Sequence, residues 1–507
     1  MFHLTLLGYS ITLAIAWYLS IWTVNHSEFS TWETKNYFIY GLLILMAHLA
    51  VYFGVMLTLN GRKSFKRMMA CVLSGIFSAI YLFSIKLIHY DLIAGYNTII
   101  KILIVILLAV IFSIVCRLLT QSAKVRVFLG IFIAAFLLQT ATDYLWSERK
   151  RNDLVAAASK FPEYIKFPEF TKKPNVYIIS FDSMIPESVA SKLLGIESLG
   201  YISVIDEYGY RRLKNVFSER TPTKPYFNSL VAMDAEYFRS VPKSARFLFA
   251  TGEILGPLYT LFKKNDYKTQ FLYASTYFGI PKRAGVDFYG YDRYKGICNH
   301  IDSPMAFVGY CVKSVSRMRR KGFKVWDKIL GNKSVRSGEV ILDRIKFAGE
   351  SSDPWFTLAH IYAPGHVPKG YDGRDPEDFE KYKSDFIKRR LPNATMQIKE
   401  VLDTLRQHDP EAIVILFGDH GTFVTRRVKS TGGARGDVEL SAKDVYLDRH
   451  AVVGAIYPPH FCEQEFGSPF STIRAGRALA KCLSDGSDVF PASYQENDDH
   501  LMKYKYE

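Results

Sequence analysis

Residues 412–421 read Ala-Ile-Val-Ile-Leu-Phe-Gly-Asp-His-Gly. An apolar run of this length, rich in β-branched and aromatic side chains, is the signature of a buried strand. It runs through Gly418 directly into Asp419 and His420. Carboxylate oxygen and imidazole nitrogen are ligands that zinc or manganese accepts, so a strand ending in this pair reads as half of a metal site.

The surrounding sequence gives that strand its setting. Short β-rich runs at Val176–Phe181, Thr269–Tyr273, Phe356–Ile361, Ala412–Phe417 and Ala451–Tyr457 alternate with helical patterns at Glu187–Leu194, Phe227–Met233, Ile254–Lys264 and Met396–Gln407. This alternation predicts an α/β domain with a mainly parallel central sheet. In such sheets ligands sit beyond the carboxyl ends of the strands. A second strand, Val176–Phe181, ends in an acid of its own, Asp182. Taken alone, Asp182 reads equally well as a helix N-cap.

A third segment, Asn215-Val-Phe-Ser-Glu-Arg-Thr-Pro-Thr-Lys-Pro-Tyr-Phe-Asn-Ser-Leu230, reads as a strand, a turn with two prolines and a helix. Thr223 precedes Pro225, which places its hydroxyl near a helix N-terminus, where free amides and the helix dipole favour an anion. A hydroxyl bound there to a divalent cation can ionise and attack phosphorus. The structural alternative is an ordinary N-cap.

These three segments, in this order and spacing, resemble the alkaline phosphatase and sulfatase superfamily over roughly residues 174–460. Asn175-Val-Tyr-Ile-Ile-Ser-Phe-Asp182 resembles the first strand with its metal carboxylate, Thr223-Lys-Pro-Tyr-Phe-Asn-Ser-Leu the nucleophile segment, and Phe417-Gly-Asp-His-Gly421 the second metal motif. Ile254-Leu through Asp266-Tyr-Lys-Thr-Gln is similar to the helix and strand after the nucleophile, and Gly290-Tyr-Asp-Arg-Tyr294 to a later loop. His360-Ile-Tyr-Ala-Pro-Gly-His-Val-Pro368 resembles the segment whose histidine contacts substrate. The resemblance thus implies Asp182, Thr223, Asp419 and His420 as metal ligands, Thr223 as nucleophile and His366 as the substrate or proton-transfer residue. His360 is either a further substrate contact or a structural strand histidine. Lys224, Arg426 and Arg427 are cations that could clamp phosphate, although each alone also reads as a solvated surface charge.

Threonine cannot be converted to the formylglycine of sulfatases, which disfavours sulfate-ester hydrolysis. Asp182 is followed by Ser183 where many sulfatases carry a second acid. A threonine nucleophile, a single metal carboxylate on the first strand and preceding membrane helices resemble the lipoteichoic acid synthase-like branch, which moves phosphoethanolamine or phosphoglycerol from a phospholipid onto an envelope acceptor. In that branch the threonine need not stand two residues before a proline, so Thr221 remains a rival for the nucleophile.

The 507 residues carry a net charge of +15 and a hydrophobic fraction of 49%. That apolar excess excludes disorder and low-complexity classes, and it is concentrated at the amino terminus. Phe2–Val24, Tyr37–Asn60, Met68–Ile85, Ile99–Leu119 and Val127–Trp146 are each near the ~20 residues a helix needs to cross a bilayer. The expected architecture is therefore an all-α transmembrane block of five helices (1–147), a juxtamembrane linker (148–173) and an extracytoplasmic sulfatase-like α/β domain (174–507). Arg62, Lys63, Lys66 and Arg67 in one short loop, and Arg117, Lys124 and Arg126 in another, face the cytoplasm by the positive-inside rule. The chain after Trp146 then lies outside the cytoplasmic (inner) membrane, in the periplasmic space of a cell that has one. Arg149, Lys150 and Arg151 run against the rule, but long domains translocate largely regardless of charge.

Cys71 and Cys116 fall in the spans, leaving Cys298, Cys311, Cys462 and Cys482 outside them. An oxidising compartment allows Cys298–Cys311 and Cys462–Cys482, one of three connectivities. Four free thiols are the alternative.

The resulting expectation is a membrane-bound transferase with a divalent cation, zinc or manganese with magnesium third, a phospholipid donor and an envelope glycan or glycolipid acceptor. No basic run is interleaved with aromatics in a nucleic-acid pattern, so no nucleic-acid partner is expected. A phosphodiesterase, phosphatase or sulfatase-like hydrolase would use the same centre with water as acceptor. A catalytically dead scaffold would tolerate loss of the metal residues, and a transporter would need more polar residues within its spans.

Overall fold

The computed structural model describes residues 152–273, 285–291 and 338–491, apart from 154, 251, 253 and 369, together with 110, 114 and 149. The chain divides into two units, Met1–Arg151 with Lys295–Ser334, and Asn152–Tyr294 with Val335–Glu507. Nearly all described residues belong to the second. Among the described residues no helix is long and apolar enough to cross a membrane. The five expected spans lie outside them, apart from Val110 and Ile114 in the fourth, which are helical; so does the expected Cys298–Cys311 bridge.

The second unit is built on an eight-stranded sheet. Its strands are β1 (Val176–Phe181), β2 (Arg211–Phe217), β3 (Lys268–Tyr273), β4 (Phe288–Tyr291), β5 (Trp355–Ile361), β6 (Ile413–Gly418), β9 (Ala451–Tyr457) and β10 (Phe470–Ser471), while β7 (Gly432–Arg435) and β8 (Val438–Ser441) form a separate ribbon. The order across the sheet is β10-β2-β9-β6-β1-β5-β3-β4. All neighbours run parallel except β9, which is antiparallel to both β2 and β6. The mainly parallel sheet expected from the sequence is present, with one reversed strand inside it.

Alternation along each strand explains why both faces of this sheet are covered. Tyr177, Ile179 and Phe181 of β1 and Val414 and Leu416 of β6 point into one core. That core is closed by α1 (Glu187–Leu194), α2 (Gly200–Glu207) and two helices before β5 and β6, α7 (Glu339–Gly349) and α9 (Leu391–His408), through side chains such as Val189, Ile202, Ile345 and Ile398. Val176 and Ile178 of β1 and Ile413, Ile415 and Phe417 of β6 point into the other core, covered by α3 (Thr223–Ala232), α6 (Pro257–Lys264) and the carboxy-terminal helix α11 (Ala475–Leu483). Each such fully buried apolar side chain contributes about 1.5–3 kcal/mol.

Residues that read as a linker also join this unit. Ile165 and Phe170 are buried in the second core, and the Phe170 amide donates to Asn265 Oδ1 at 2.7 Å. Nearby, Cys462 and Cys482 form the expected disulfide, with Cα atoms 5.8 Å apart across a sequence separation of 20.

A loop of that length is worth about 3 kcal/mol by the chain-entropy estimate. Peptide mapping without reductant is expected to return the Cys462 and Cys482 peptides joined, and Cys482→Ala is expected to lower thermal stability by several degrees. Quantitative alkylation of both thiols in unreduced protein would contradict the assignment.

Candidate active site

The parallel pairing of β1 and β6 sets Phe181 opposite Gly418, so the next residues on the two strands, Asp182 and Asp419, leave the sheet side by side. Asp182 is 1% exposed, and Asp419 and His420 are wholly buried. A carboxylate oxygen of each acid and a ring nitrogen of His420 lie within 4.8 Å of one another. The N-cap reading of Asp182 does not hold, because α1 begins five residues later with Pro186 at its cap.

Close backbone approach makes this convergence possible. A Cβ on Gly418 would stand 2.2 Å from the Met184 carbonyl oxygen, and one on Gly421 would stand 1.7 Å from that of Asp448. Only glycine fits either position. The Asp419 amide donates to the Phe181 carbonyl at 3.1 Å, and the Ser183 amide donates to Asp419 Oδ1 at 3.0 Å.

Hydrogen bonds fix the direction in which His420 presents its lone pair. His420 Nδ1–H donates to the Gly421 carbonyl at 2.8 Å, which commits Nδ1 and leaves Nε2 as the acceptor or ligand atom. Nε2 lies 3.5 Å from Asp419 Oδ2, 3.8 Å from Asp182 Oδ1 and 3.0 Å from Thr223 Oγ1. A tetrahedral ion with bonds of ~2.0–2.2 Å would separate its ligand atoms by roughly 3.3–3.6 Å; the Asp419 oxygen stands at that spacing from Nε2, the Asp182 oxygen slightly wider and the Thr223 hydroxyl slightly closer.

Charge balance points the same way. Two carboxylate oxygens within 4.8 Å repel by roughly 3 kcal/mol at an effective dielectric near 20. Asp419 Oδ2 is buried, with the Nε2 atoms of His360 and His420 3.4 and 3.5 Å away. Burial opposes ionisation of Asp419, but the adjacent His420 and His360 imidazoles and the Ser183 amide outweigh it and hold the carboxyl below its usual range. One imidazole nitrogen with carboxylate and hydroxyl oxygens is a donor set for zinc or manganese, whereas magnesium favours all-oxygen shells.

Thr223 is the first residue of α3 and is 5% exposed. Pro222 occupies the cap position and Thr223 makes no capping bond; its hydroxyl turns to His420 instead. Pro225 fits because the third residue of a helix has no intrahelical partner for an N–H. Thr221 is half-buried in the turn before the helix, and Thr223 is the threonine whose hydroxyl meets the cluster. Beneath it, Ser180 and Tyr226 join β1 to α3 through a buried hydroxyl pair 2.9 Å apart.

The remaining residues singled out by the sequence separate into near and far. His366 is half-buried, with its ring centroid 5.6 Å from that of His420 and 6.0 Å from that of Phe423. Its Nδ1–H donates to the Val367 carbonyl at 2.7 Å, so Nε2 carries the lone pair. His360 is 2% exposed, edge-on to Phe227 and beside Asp419. Lys224 is the second residue of α3 and half-buried. Arg426 and Arg427 are exposed: Arg426 reaches the Pro368 carbonyl at 3.4 Å, and Arg427 pairs with Asp372 at 3.1 Å.

The supporting roles of two further residues gave no sequence signal. Ser183 Oγ lies 2.9 Å from Asp182 Oδ1 and 3.0 Å from the Gly421 carbonyl, bridging the metal segments. Asp448, on helix α10 (Ala442–His450), is fully buried and accepts bonds from Thr422 Oγ1, the Val424 amide, and the amide and hydroxyl of Thr425. Burial nonetheless pushes its carboxyl above the usual range. It holds the turn that follows His420.

No protein-family model and no curated sequence matches the chain. Among solved structures it is similar to the C-terminal periplasmic domain of EcEptC from Escherichia coli in complex with Zn, at 13% identity and a TM-score of 0.39, over 67% of this chain and 92% of that one. It is similar to the integral membrane lipooligosaccharide phosphoethanolamine transferase A (EptA) from Neisseria meningitidis, at 10% identity and a TM-score of 0.39, over 96% of both chains. It is also similar to the lipoteichoic acid synthase LtaP from Listeria monocytogenes, at 12% identity and a TM-score of 0.36, over 68% of this chain and 79% of that one.

Removing one ligand of about four is expected to weaken metal binding at least 10- to 100-fold. Elemental analysis after dialysis against buffered zinc should find the ion in the wild type and lose it in Asp419→Ala and His420→Ala, with thermal unfolding still cooperative. Stoichiometric zinc in both variants would contradict the site.

Proposed function

We propose that the chain is a membrane-bound transferase that moves a phospholipid head group, phosphoethanolamine or phosphoglycerol, onto an envelope glycan or glycolipid through a phospho-threonine intermediate. The observation that carries this reading is the Thr223 hydroxyl, 3.0 Å from His420 Nε2 at the amino end of α3 and beside two buried carboxylates. A hydroxyl with that setting is a nucleophile for phosphorus, and the resemblance of a threonine nucleophile, a single metal carboxylate on the first strand and five preceding membrane helices to the head-group transferase branch supplies the substrate class. The proposed arrangement has the five spans in the cytoplasmic membrane and the α/β domain outside it.

Asp182, Asp419, His420 and Thr223 would hold the divalent cation, which when bound lowers the pKa of a coordinated hydroxyl and neutralises phosphoryl charge. Thr223 Oγ attacks the donor phosphorus. The new Oγ–P bond replaces the P–O bond to the diacylglycerol oxygen, which leaves with a proton. His366 would take at Nε2 the proton that Thr223 Oγ gives up and deliver it to that oxygen, and in the second half-reaction take the proton of the acceptor hydroxyl and return it to Thr223 Oγ. The acceptor oxygen then takes the phosphorus, and the Oγ–P bond breaks to restore threonine. The free amides and dipole of the α3 N-terminus favour the phosphoryl anion throughout.

Full-length protein in vesicles of labelled phosphatidylethanolamine and phosphatidylglycerol is expected to release diacylglycerol and label an acceptor extract. Thr223→Ala is expected to lose at least 10³-fold in both half-reactions, since the covalent route is closed, while Thr223→Ser keeps part of the rate. Diacylglycerol release accompanied only by free head-group phosphate would assign the centre to a hydrolase instead. An undiminished rate in Thr223→Ala would overturn the reading.

A further inference from the structure

The loop that carries His366 is fastened at several points. The Gly365 amide donates to the Asp182 carbonyl at 2.9 Å and the Val367 amide to the Thr422 carbonyl at 3.1 Å, so the loop is strapped across both metal-binding segments. Two of its carbonyls, those of Gly365 and His366, accept from a single atom, Arg390 Nη1, at 3.1 and 3.0 Å. The guanidinium is itself fixed: Nε donates to Asp385 Oδ2 at 2.6 Å, and the group lies over the Tyr382 ring with 5.3 Å to its centroid. The Tyr382 hydroxyl also reaches the Gly365 carbonyl, at 3.3 Å. Only 14% of the Arg390 side chain is exposed.

The backbone is adapted to this contact on both sides. Helix α8 (Pro376–Asp385) does not run straight into α9 but passes through a π-helical turn, Phe386–Arg390, whose last residue is this arginine. One wide turn rotates the residues after it relative to those before, a device frequent at functional sites. Opposite it, Gly365 adopts a positive φ of 84°, and a Cβ there would lie 3.1 Å from Arg390 Nη1.

We propose that Arg390 is a positioning residue that holds the His366 imidazole at the reacting centre. The proposal rests on the catalytic reading of that centre. It assigns Arg390 no contact with substrate or metal: its effect passes through the carbonyls of Gly365 and His366. Neighbouring Arg389 pairs with the same Asp385 but is 68% exposed and reaches no loop carbonyl, which makes it the internal control.

Arg390→Met, Arg390→Lys, Arg389→Met and His366→Ala, with the double variant Arg390→Met/His366→Ala, would be compared in the full chain by diacylglycerol release from the same vesicles. Arg390→Met is expected to lower kcat about 10- to 100-fold with KM within about twofold, the scale of loss that a displaced catalytic group produces. Zinc content should be unchanged. Arg390→Lys should recover part of the rate, Arg389→Met should match the wild type, and the double variant should be no slower than His366→Ala alone. Hydrogen exchange supplies a readout independent of turnover: in Arg390→Met the peptide containing residues 363–368 should lose protection while those containing 176–182 and 413–421 keep theirs. Unaltered kcat in Arg390→Met, or a full extra loss in the His366→Ala background, would overturn the proposal. A wild type without turnover would refute the reading of the centre, and unaltered exchange at 363–368 would then decide against the clamp by itself. Should Arg390→Met fail to fold, Arg390→Lys carries both measurements.

Discussion

The register between β1 and β6 governs the rest of the site. Parallel pairing of Phe181 with Gly418 means that two chain segments remote in sequence leave the sheet at the same level, each with an aspartate as its next residue. The sheet core cannot solvate these acids, and their mutual repulsion of roughly 3 kcal/mol disfavours the fold unless a cation or donated protons offset it. A one-residue slip of β6 would turn every side chain of that strand to the opposite face and exchange its two cores. The apolar alternation that stabilises the sheet is thus the same feature that sets the spacing of the acids.

Around that pair, backbone groups control the chemistry of the side chains. The Gly421 carbonyl selects the His420 tautomer, and the Val367 carbonyl selects that of His366. In both rings Nε2 is left with its lone pair, that of His420 facing the two acids, and the two ring centroids are 5.6 Å apart. Thr223 approaches from a different layer, at the start of a helix whose open amides attract anions. Thr223, the cluster of Asp182, Asp419 and His420, and His366 therefore come from four chain segments, the start of α3 and the turns after β1, β6 and β5, and the glycines at 365, 418 and 421 let those segments pack more closely than side chains would allow.

Much of this was legible in the sequence because burial imposes period-two patterns. The strands Val176–Phe181 and Ala451–Tyr457 and the helix Glu187–Leu194 occur with the expected limits, and β6 begins one residue later than its apolar run. Helix starts were less legible. The α3 helix begins at Thr223 rather than Phe227, and α9 at Leu391 rather than Met396, because a proline within the first turn is compatible with a helix although it reads as a break. Conversely α6 begins at Pro257, three residues after the apolar run opens. Asp182, Thr223, Asp419 and His420 were visible as chemically apt residues at strand and helix ends, and His366 through the resemblance of its segment to the superfamily. Ser183 stood out only as the residue in place of a second acid, and Asp448, an acid in a mixed-charge helix, and Arg390, the last member of Lys388-Arg389-Arg390, did not stand out. Their roles depend on tertiary contacts that no local pattern encodes.

The central claim is that the hydroxyl of Thr223, and no other group, accepts the phosphorus. Tandem mass spectrometry of full-length protein, acid-quenched after incubation with phosphatidylethanolamine and phosphatidylglycerol vesicles without acceptor, tests it most directly. The account predicts a phospho-substituent on the peptide spanning Arg220 to Lys224, localised by fragmentation to Thr223, with the added mass naming the head group. A modification on Thr221, or turnover with no modified peptide at any stage, would contradict it.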